Sequence, residues 1–426
     1  MALSALRGLL LLYCLVLVTQ RKLSEEKDMS SSDCDDDTRS RCQKVYRPIT
    51  ENFFKLYQNP KYWPENTNIL FSPISLVAVV AMFSLGTKAD TQAQIMKCLG
   101  LSHRELPRNL IQQCLQCLPY VQHRPDDELQ LTASSHLFIG NNLKLKHRVL
   151  KNLKLYHAEH TSMNFTDTEQ VVQQLSKYAE KDTQREIMGF IKEHNKDANP
   201  VLLNYMNFRG KLSDEFQTVS VADENFYVDE NTTIQVPTLY SWGRFYLQRD
   251  ELLSCWVLVQ FYVGNITAFF FLPDRGMMQR LTEKLTTEHL ENIRKFTDIK
   301  IYRLRFPKLT SISINNMNTF LKKLNITKFF EDEENYWVSK TRAPKTFPEL
   351  LQQSVLSMSE NGTEFEATTD TPVEYSYRDL TVRFNRPFVV IIGIWNDFNA
   401  NIPLLMGKVW NHCSGTGRTT AEVLAP

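Results

Sequence analysis

Apolar and polar residues fall in blocks along this chain, and the blocks predict its elements. Asn68 to Phe71 is a short apolar run that reads as a strand. Ser72 follows as an N-cap, because its hydroxyl can accept an orphan helix N–H, and Pro73 suits the first helical position. From there to Leu85 the chain is apolar on nearly every side, so this helix is expected to be buried almost all round, with Gly86 ending it. A shorter helix is expected from Asp90-Thr91 to Gly100. Leu143 to His157 has helical spacing with Lys and His on its outer face, and Leu129 to Ile139 alternates as a strand does. Asn265 to Leu272, Phe388 to Trp395 and Pro403 to Trp410 are apolar runs bounded by turn residues, expected as strands buried on both faces or nearly so. Helices dominate the first half and strands the second, which predicts a mixed α+β architecture.

The N-terminus differs from the rest. Arg7 precedes an apolar run from Gly8 to Val18, long enough for a secretory h-region and too short to span a bilayer. Residues 1–20 are therefore expected to be a signal peptide cut near Thr19–Gln20, and the protein to be secreted, soluble and free of any membrane. Residues 21–45 are polar, with an acidic block at Asp33 to Asp37, and are expected to form a flexible extension. From Tyr46 onward there is no Pro/Gly-rich linker and no repeat, so residues 46–412 read as one domain and 413–426 as a tail.

Composition removes several function classes. Lys+Arg total 49 against 48 Asp+Glu, a net charge of +1, which argues against a nucleic-acid protein. Apolar residues at 42% and aromatics at 11% supply a large core. There is no P-loop, no G-x-G-x-x-G, no G-x-S-x-G elbow, no H-E-x-x-H and no kinase signature. His157 and His160 lie three apart on the helix expected there, a spacing that matches no zinc motif and reads as a solvated helix end. The basic run Arg294, Lys295, Lys300, Arg303 and Arg305 reads as a solvated face rather than a heparin site. An enzyme working through Asp and Glu alone would leave no local signature.

Secretion changes how cysteine is read. Of Cys14, Cys34, Cys42, Cys98, Cys114, Cys117, Cys255 and Cys413, the first leaves with the signal, and the odd remainder leaves at least one thiol free or paired outside the chain. Cys34 and Cys42 lie close together in a polar segment and are candidates for a local bridge. Cys114 and Cys117 form a C-x-x-C with no second pair or paired His, so two thiols on one helix face is a better reading than zinc. Sequons at Asn164, Asn231, Asn265, Asn325 and Asn361 are glycan acceptors in a secreted chain. Asn265 is expected to be occupied. Asn361 directly precedes Gly362, where a glycan would be bulky.

Several segments carry a family resemblance. NILFSPISLVAVVAMFSLGTKADT (Asn68 to Thr91), LLNYMNFRGK (Leu202 to Lys211), LPD (Leu272 to Asp274), FPKL (Phe306 to Leu309), ITKFF (Ile326 to Phe330), VRFNRPFVVII (Val382 to Ile392) and PLLMGKV (Pro403 to Val409) resemble serpin motifs, in serpin order. The nearest group is alpha-1-antitrypsin-like, clade A, which holds both protease inhibitors and non-inhibitory carriers. The resemblance implies a single-domain fold of three β-sheets with eight or nine helices and an exposed reactive loop, here Glu360 to about Arg383. In an inhibitory serpin a protease cuts this loop, and the cut loop inserts into the main sheet as a new strand. Counting from Gly362 and from Phe388 puts the reactive bond at Ser376–Tyr377. That implies a chymotrypsin-like or elastase-like serine protease as partner. With the resemblance, no enzyme activity, cofactor or metal is expected, and the protein is expected to be a monomer.

The chain departs from the family pattern where the loop must enter the sheet. The hinge Gly362-Thr363-Glu364-Phe365-Glu366-Ala367 carries Phe365 and Glu366 where inhibitors have small residues. Leu212 stands where the family has Trp, and Gln352 where it has His. Ser72, Ser75 and Asn204 match polar residues that the family places beneath the main sheet, though a helix cap and buried amides would account for them equally well. If the loop inserts, Thr363, Phe365, Ala367, Thr369 and Thr371 face one way, and Glu364, Glu366, Thr368 and Asp370 the other. Two functions therefore compete. One is a serine protease inhibitor with a handicapped hinge. The other is a non-inhibitory serpin that carries a small apolar ligand or binds a secreted protein. Trp395 and Phe398 are candidates for a ligand pocket, with core aromatics the commoner explanation.

Overall fold

The computed structural model describes residues 36–59, 67–84, 87, 89–101, 106–122, 124–125, 129–175, 200–211, 218–262, 265–296, 299–324, 326–331, 349–359, 381–395 and 402–410. The first helix, α1 (Asp36–Gln58), begins inside the stretch expected to be a flexible extension. The reason is a helical stripe that the acidic block conceals: Cys42, Val45, Tyr46, Ile49 and Phe53 recur at helical spacing and all are buried. Helix α2 (Pro73–Ser84) is buried along its whole length, as expected. Ser72 Oγ accepts the Ser75 N–H at 3.3 Å, which is the anticipated cap. Helix α3 (Ala89–Cys98) ends before Gly100, which sits at φ +73, where a Cβ would run into Asn52. Helix α4 (Arg108–Gln122) carries Cys114 and Cys117. The helix expected over Leu143 to His157 is shorter, His147–Leu155, because Lys146 is extended and His157 turns to φ 52.

Cys42 does not bridge to Cys34. It is bonded to Cys114, with Cα atoms 5.4 Å apart, so α1 is stapled to α4 across 72 residues of sequence. Both cysteines are fully buried, and Cys117 is disulfide-bonded as well. The local spacing that suggested the 34–42 pair was overruled by the amphipathic face of α1, which turns Cys42 inward against α4. Tyr46 adds to this contact by donating to Cys114 O at 2.8 Å. Cys98 and Cys255 are free thiols, both held in the protonated form by burial.

The described strands form two hydrogen-bonded sheets of nine and six strands, where three were expected. Thr233–Asp250 accounts for the difference. It is 18 residues long, and its first part pairs with Thr218–Tyr227 and Ile299–Pro307, while its last part pairs with Cys255–Tyr262. One strand thus welds two sheets into one. The apolar runs lie at the centre of this sheet: Ile266–Pro273 and Phe388–Ile394 are buried at every position, and Ile402–Val409 lies next to them. The smaller sheet runs in the order 309–316, 349–359, 201–211, 129–140, 124–125, with 159–163 pairing on 129–140.

The staple makes a prediction. Replacing Cys42 and Cys114 together by Ala is expected to lower the free energy of unfolding by about 2–5 kcal/mol, read by urea denaturation. Non-reducing peptide maps should contain a Cys42–Cys114 cross-link, and a Cys34–Cys42 peptide in its place would overturn this pairing.

Candidate functional site

The site is a seam in the smaller sheet. Glu349–Ser359 pairs parallel with Val201–Lys211 over the full 11 residues of each strand, with Gln352 opposite Asn204. On either side, Asn315 lies opposite Gln352 and Ser135 opposite Asn204. Directly paired residues project to the same face, so Asn315, Gln352, Asn204 and Ser135 form one polar row across four strands. The row meets the start of α2. Gln352 Oε1 accepts the Ser72 N–H at 2.8 Å. Gln352 Nε2 donates to Ser72 O at 3.0 Å and to Asn204 Oδ1 at 3.2 Å. Asn204 Nδ2 donates to Ser135 Oγ at 2.9 Å, and Asn315 Nδ2 donates to Leu70 O at 2.8 Å. Ser72 Oγ also donates to Ser75 Oγ at 2.9 Å. Gln352, Ser72 and Ser75 are completely buried.

The chemistry of this row depends on an amide. Gln352 donates and accepts at once, so it satisfies both backbone groups of Ser72 and still reaches the neighbouring strand. An imidazole there would have two nitrogens and would gain charge in acid; the amide does not titrate. The same seam carries a cost one residue on. Ser354 Oγ and Ser313 Oγ, on the row's face, have no hydrogen-bond partner, nor do both amide atoms of Gln353 on the opposite face. Burying an unpaired polar group costs about 1–3 kcal/mol. The closed sheet is therefore pinned at Gln352, with polar side chains that lack protein partners next to it.

Four of the expected sheet-opening residues, Ser72, Ser75, Asn204 and Gln352, are brought together here. The fifth, Leu212, lies outside the described residues, as do the hinge residues 362–367 and the bond Ser376–Tyr377. The ends of the loop are described. Ser359 closes the seam strand, and Thr381–Arg383 begins again in the larger sheet, parallel to Ile299–Pro307. Val382 and Phe384 are buried there, and Phe384 packs on Phe306 and Phe388 at 5.1 and 5.6 Å. Asn315, Ser135, Gln353 and Ser354 were not singled out in the sequence. Cross-strand register alone brings them to the seam, and no local pattern announces it.

Other candidates are placed less centrally. Asn164, Asn231 and Asn265 are exposed, while Asn325 and Asn361 lie outside the described residues. His157 and His160 do not share a helix: His160 is on the strand Glu159–Met163, and no metal-binding cluster occurs among the described residues. Trp395 is 1% exposed and packs edge-on against Phe269 at 5.5 Å, so it is a core residue. Phe398 lies outside the described residues. An apolar crevice between α1 and α2, lined by Phe53 and Val77, has about 20 Å³ of free volume, room for roughly one water.

Residues 49–412 match the family model described as Serpin (serine protease inhibitor). The chain is a serpin. It is 39% identical over 393 residues to the human alpha-1-antitrypsin-related protein, covering 92% of this chain and 93% of that one. It is 36% identical to the alpha-1-antiproteinase of Callosciurus caniceps, covering 95% and 98%. Its fold is similar to human thyroxine-binding globulin complexed with thyroxine, at a TM-score of 0.72 and 26% identity, covering 87% of this chain and 99% of the other. Human glycosylated kallistatin gives 0.71 and 28%, covering 87% and 98%. The expected α+β serpin fold is therefore the one found. No described helix is long and apolar enough to cross a membrane.

The polar row generates a test. Gln352→Leu removes three hydrogen bonds and strands the Ser72 N–H, and is expected to destabilise by about 2–4 kcal/mol. Amide exchange along 201–211 and 349–359 should accelerate more than in the larger sheet. Unchanged exchange at this seam would mean that something other than the row holds the strands together.

Proposed function

We propose that this serpin is a secreted glycoprotein that presents residues 360–383 as bait to a chymotrypsin-like or elastase-like serine protease, and that it traps the protease poorly. The observation that carries the reading is the closed parallel seam followed by a 21-residue span, 360–380, that leads to the edge of the other sheet. A loop cut at Ser376–Tyr377 would have a seam to enter, beside the unpaired side chains of Gln353 and Ser354.

The hinge sets the outcome. On insertion, Phe365 would face a core prepared for a smaller side chain, and overpacking costs about 1–3 kcal/mol. Insertion also has to break the Gln352–Asn204 contact. Trapping requires insertion to outrun hydrolysis of the acyl-enzyme, and each added 1.4 kcal/mol of barrier slows it about tenfold. The balance shifts toward cleavage as an ordinary substrate. The alternative, a carrier of a small apolar ligand, draws support from the likeness to thyroxine-binding globulin. The burial of Trp395 in the core counts against the pocket proposed for it.

Incubation with chymotrypsin and with elastase, followed by a denaturing gel and mass mapping, tests the proposal. The expected result is a cut at or next to Ser376–Tyr377 with little covalent complex, and a cut form that melts higher than the intact one. Phe365→Ala with Glu366→Ala should raise the yield of complex about tenfold. Stable complex at near one-to-one stoichiometry with the unmodified protein would overturn the account of the hinge. Glycopeptide mapping of the secreted protein is expected to find Asn265 occupied. If Asn361 is also occupied, its glycan adds a second obstacle to insertion.

A further inference from the structure

The turn between Cys255–Tyr262 and Ile266–Pro273 opens a sequon, Asn265-Ile266-Thr267. Asn265 turns the chain at φ 61, a left-handed conformation in which asparagine is enriched. Its carbonyl accepts the Trp395 N–H at 2.9 Å, so its backbone is held while the residue stays exposed. Close by, the hairpin leaves a large apolar side chain in water. Phe261 is directly opposite Thr267 and is 39% exposed. Its ring meets that of Tyr246 edge to face, with centroids 4.8 Å apart. Tyr246 is half-buried and directly opposite Ile299, which is 44% exposed. Tyr246 also pairs with Val259, two residues before Phe261, so Ile299, Tyr246 and Phe261 project to one face. They form a contiguous apolar stripe, which is a different matter from a scattered exposed residue.

The register fixes how far this stripe lies from the acceptor. Thr267 is two residues beyond Asn265, at most about 7 Å along the chain. A directly opposed antiparallel pair has its Cα atoms about 5 Å apart. Asn265 and Phe261 are therefore no more than about 12 Å apart between Cα atoms, a gap that the two side chains and one sugar ring span.

We infer that the stripe is the seat of the glycan on Asn265: its first sugar, a β-linked N-acetylglucosamine, packs on the Phe261 ring, and Tyr246 holds that ring from the side. The inference rests on the reading of this chain as a secreted glycoprotein. The ring substituents of this sugar are equatorial, so its two faces are C–H surfaces. The face of an aromatic ring carries negative charge density and attracts such hydrogens. The contact takes apolar area of Phe261 out of water and leaves the hydroxyls of the sugar in it. On this account the glycan is part of the packing of the hairpin as well as a solubilising group.

Two preparations of one chain test this. The first is secreted with high-mannose glycans and trimmed by an endoglycosidase to a single N-acetylglucosamine; the second is made in bacteria without sugar. Both carry Asn164→Gln, Asn231→Gln, Asn325→Gln and Asn361→Gln, so that Asn265 is the acceptor. Phe261→Ala is expected to lower the melting temperature by about 2 °C more in the sugar-bearing form than in the sugar-free one, and Phe261→Trp to keep the advantage of the sugar. In NMR spectra the ring protons of the sugar should lie upfield in the parent and move downfield in Phe261→Ala, as loss of an aromatic ring current requires. Asn265→Gln in the otherwise natural secreted chain gives the same thermal comparison without the four substitutions. Equal losses in the two forms, or sugar resonances indifferent to Phe261, would overturn the inference and leave the glycoprotein reading standing. If glycopeptide mapping finds Asn265 unmodified, that reading fails at this site and the inference with it. If the natural secreted protein is a dimer that Phe261→Ala separates, the stripe joins two copies and the inference is wrong.

Discussion

One buried side-chain amide, that of Gln352, ties the parallel seam of the smaller sheet to the start of α2. Gln352 holds both backbone groups of Ser72 and the side chain of Asn204, so it joins the seam strand, its neighbour and the start of α2 at a single buried point. A parallel seam has evenly spaced, slanted hydrogen bonds and is slightly less stable per residue than an antiparallel one. The side-chain bond from Gln352 to Asn204 adds to this parallel pairing. Removing any partner from this point would leave a buried polar group unpaired, which costs more than the hydrogen bond itself contributes.

The two sheets divide the physical work. The larger one is a hydrophobic frame: Phe269, Phe270, Phe271 and the residues from Phe388 to Ile392 are fully buried, and one long strand binds its parts together. The smaller one is polar along its seam, with serines and a glutamine left unsatisfied beside the pin. Buried side-chain atoms without a hydrogen-bond partner are most densely gathered at this seam, though others occur elsewhere, among them the indole nitrogens of Trp395 and Trp410. The Cys42–Cys114 staple joins α1 to α4, and Tyr57 ties α1 to Gly407 of the larger sheet.

Of the departures from the serpin pattern, Gln352 is the one among the described residues, and it lies inside the seam opposite Asn204. Gln352 in place of His gives a pin that does not respond to pH. On the proposed reading, Phe365 and Glu366 would be among the first residues of a cut loop to enter. On the same reading, these substitutions keep the sheet closed and favour cutting over trapping.

Much of this was written locally. The strands at Leu129, Ile266, Phe388 and Ile402, the cap at Ser72 and the buried α2 follow from short apolar runs and turn residues, because such segments bury the same faces in any context. The motif order was enough to identify the family and to single out Gln352 and Asn204. The tertiary structure alone decided three things. It paired Cys42 with Cys114 rather than with its neighbour in sequence, because the inward stripe of α1 set the direction of the side chain. It merged two expected sheets through one long strand, since strand length does not reveal which partners it will have. It also gathered Asn315, Gln352, Asn204 and Ser135 into one row from places as much as 217 residues apart, because register across strands is a property of the assembled sheet and leaves no mark on any single segment.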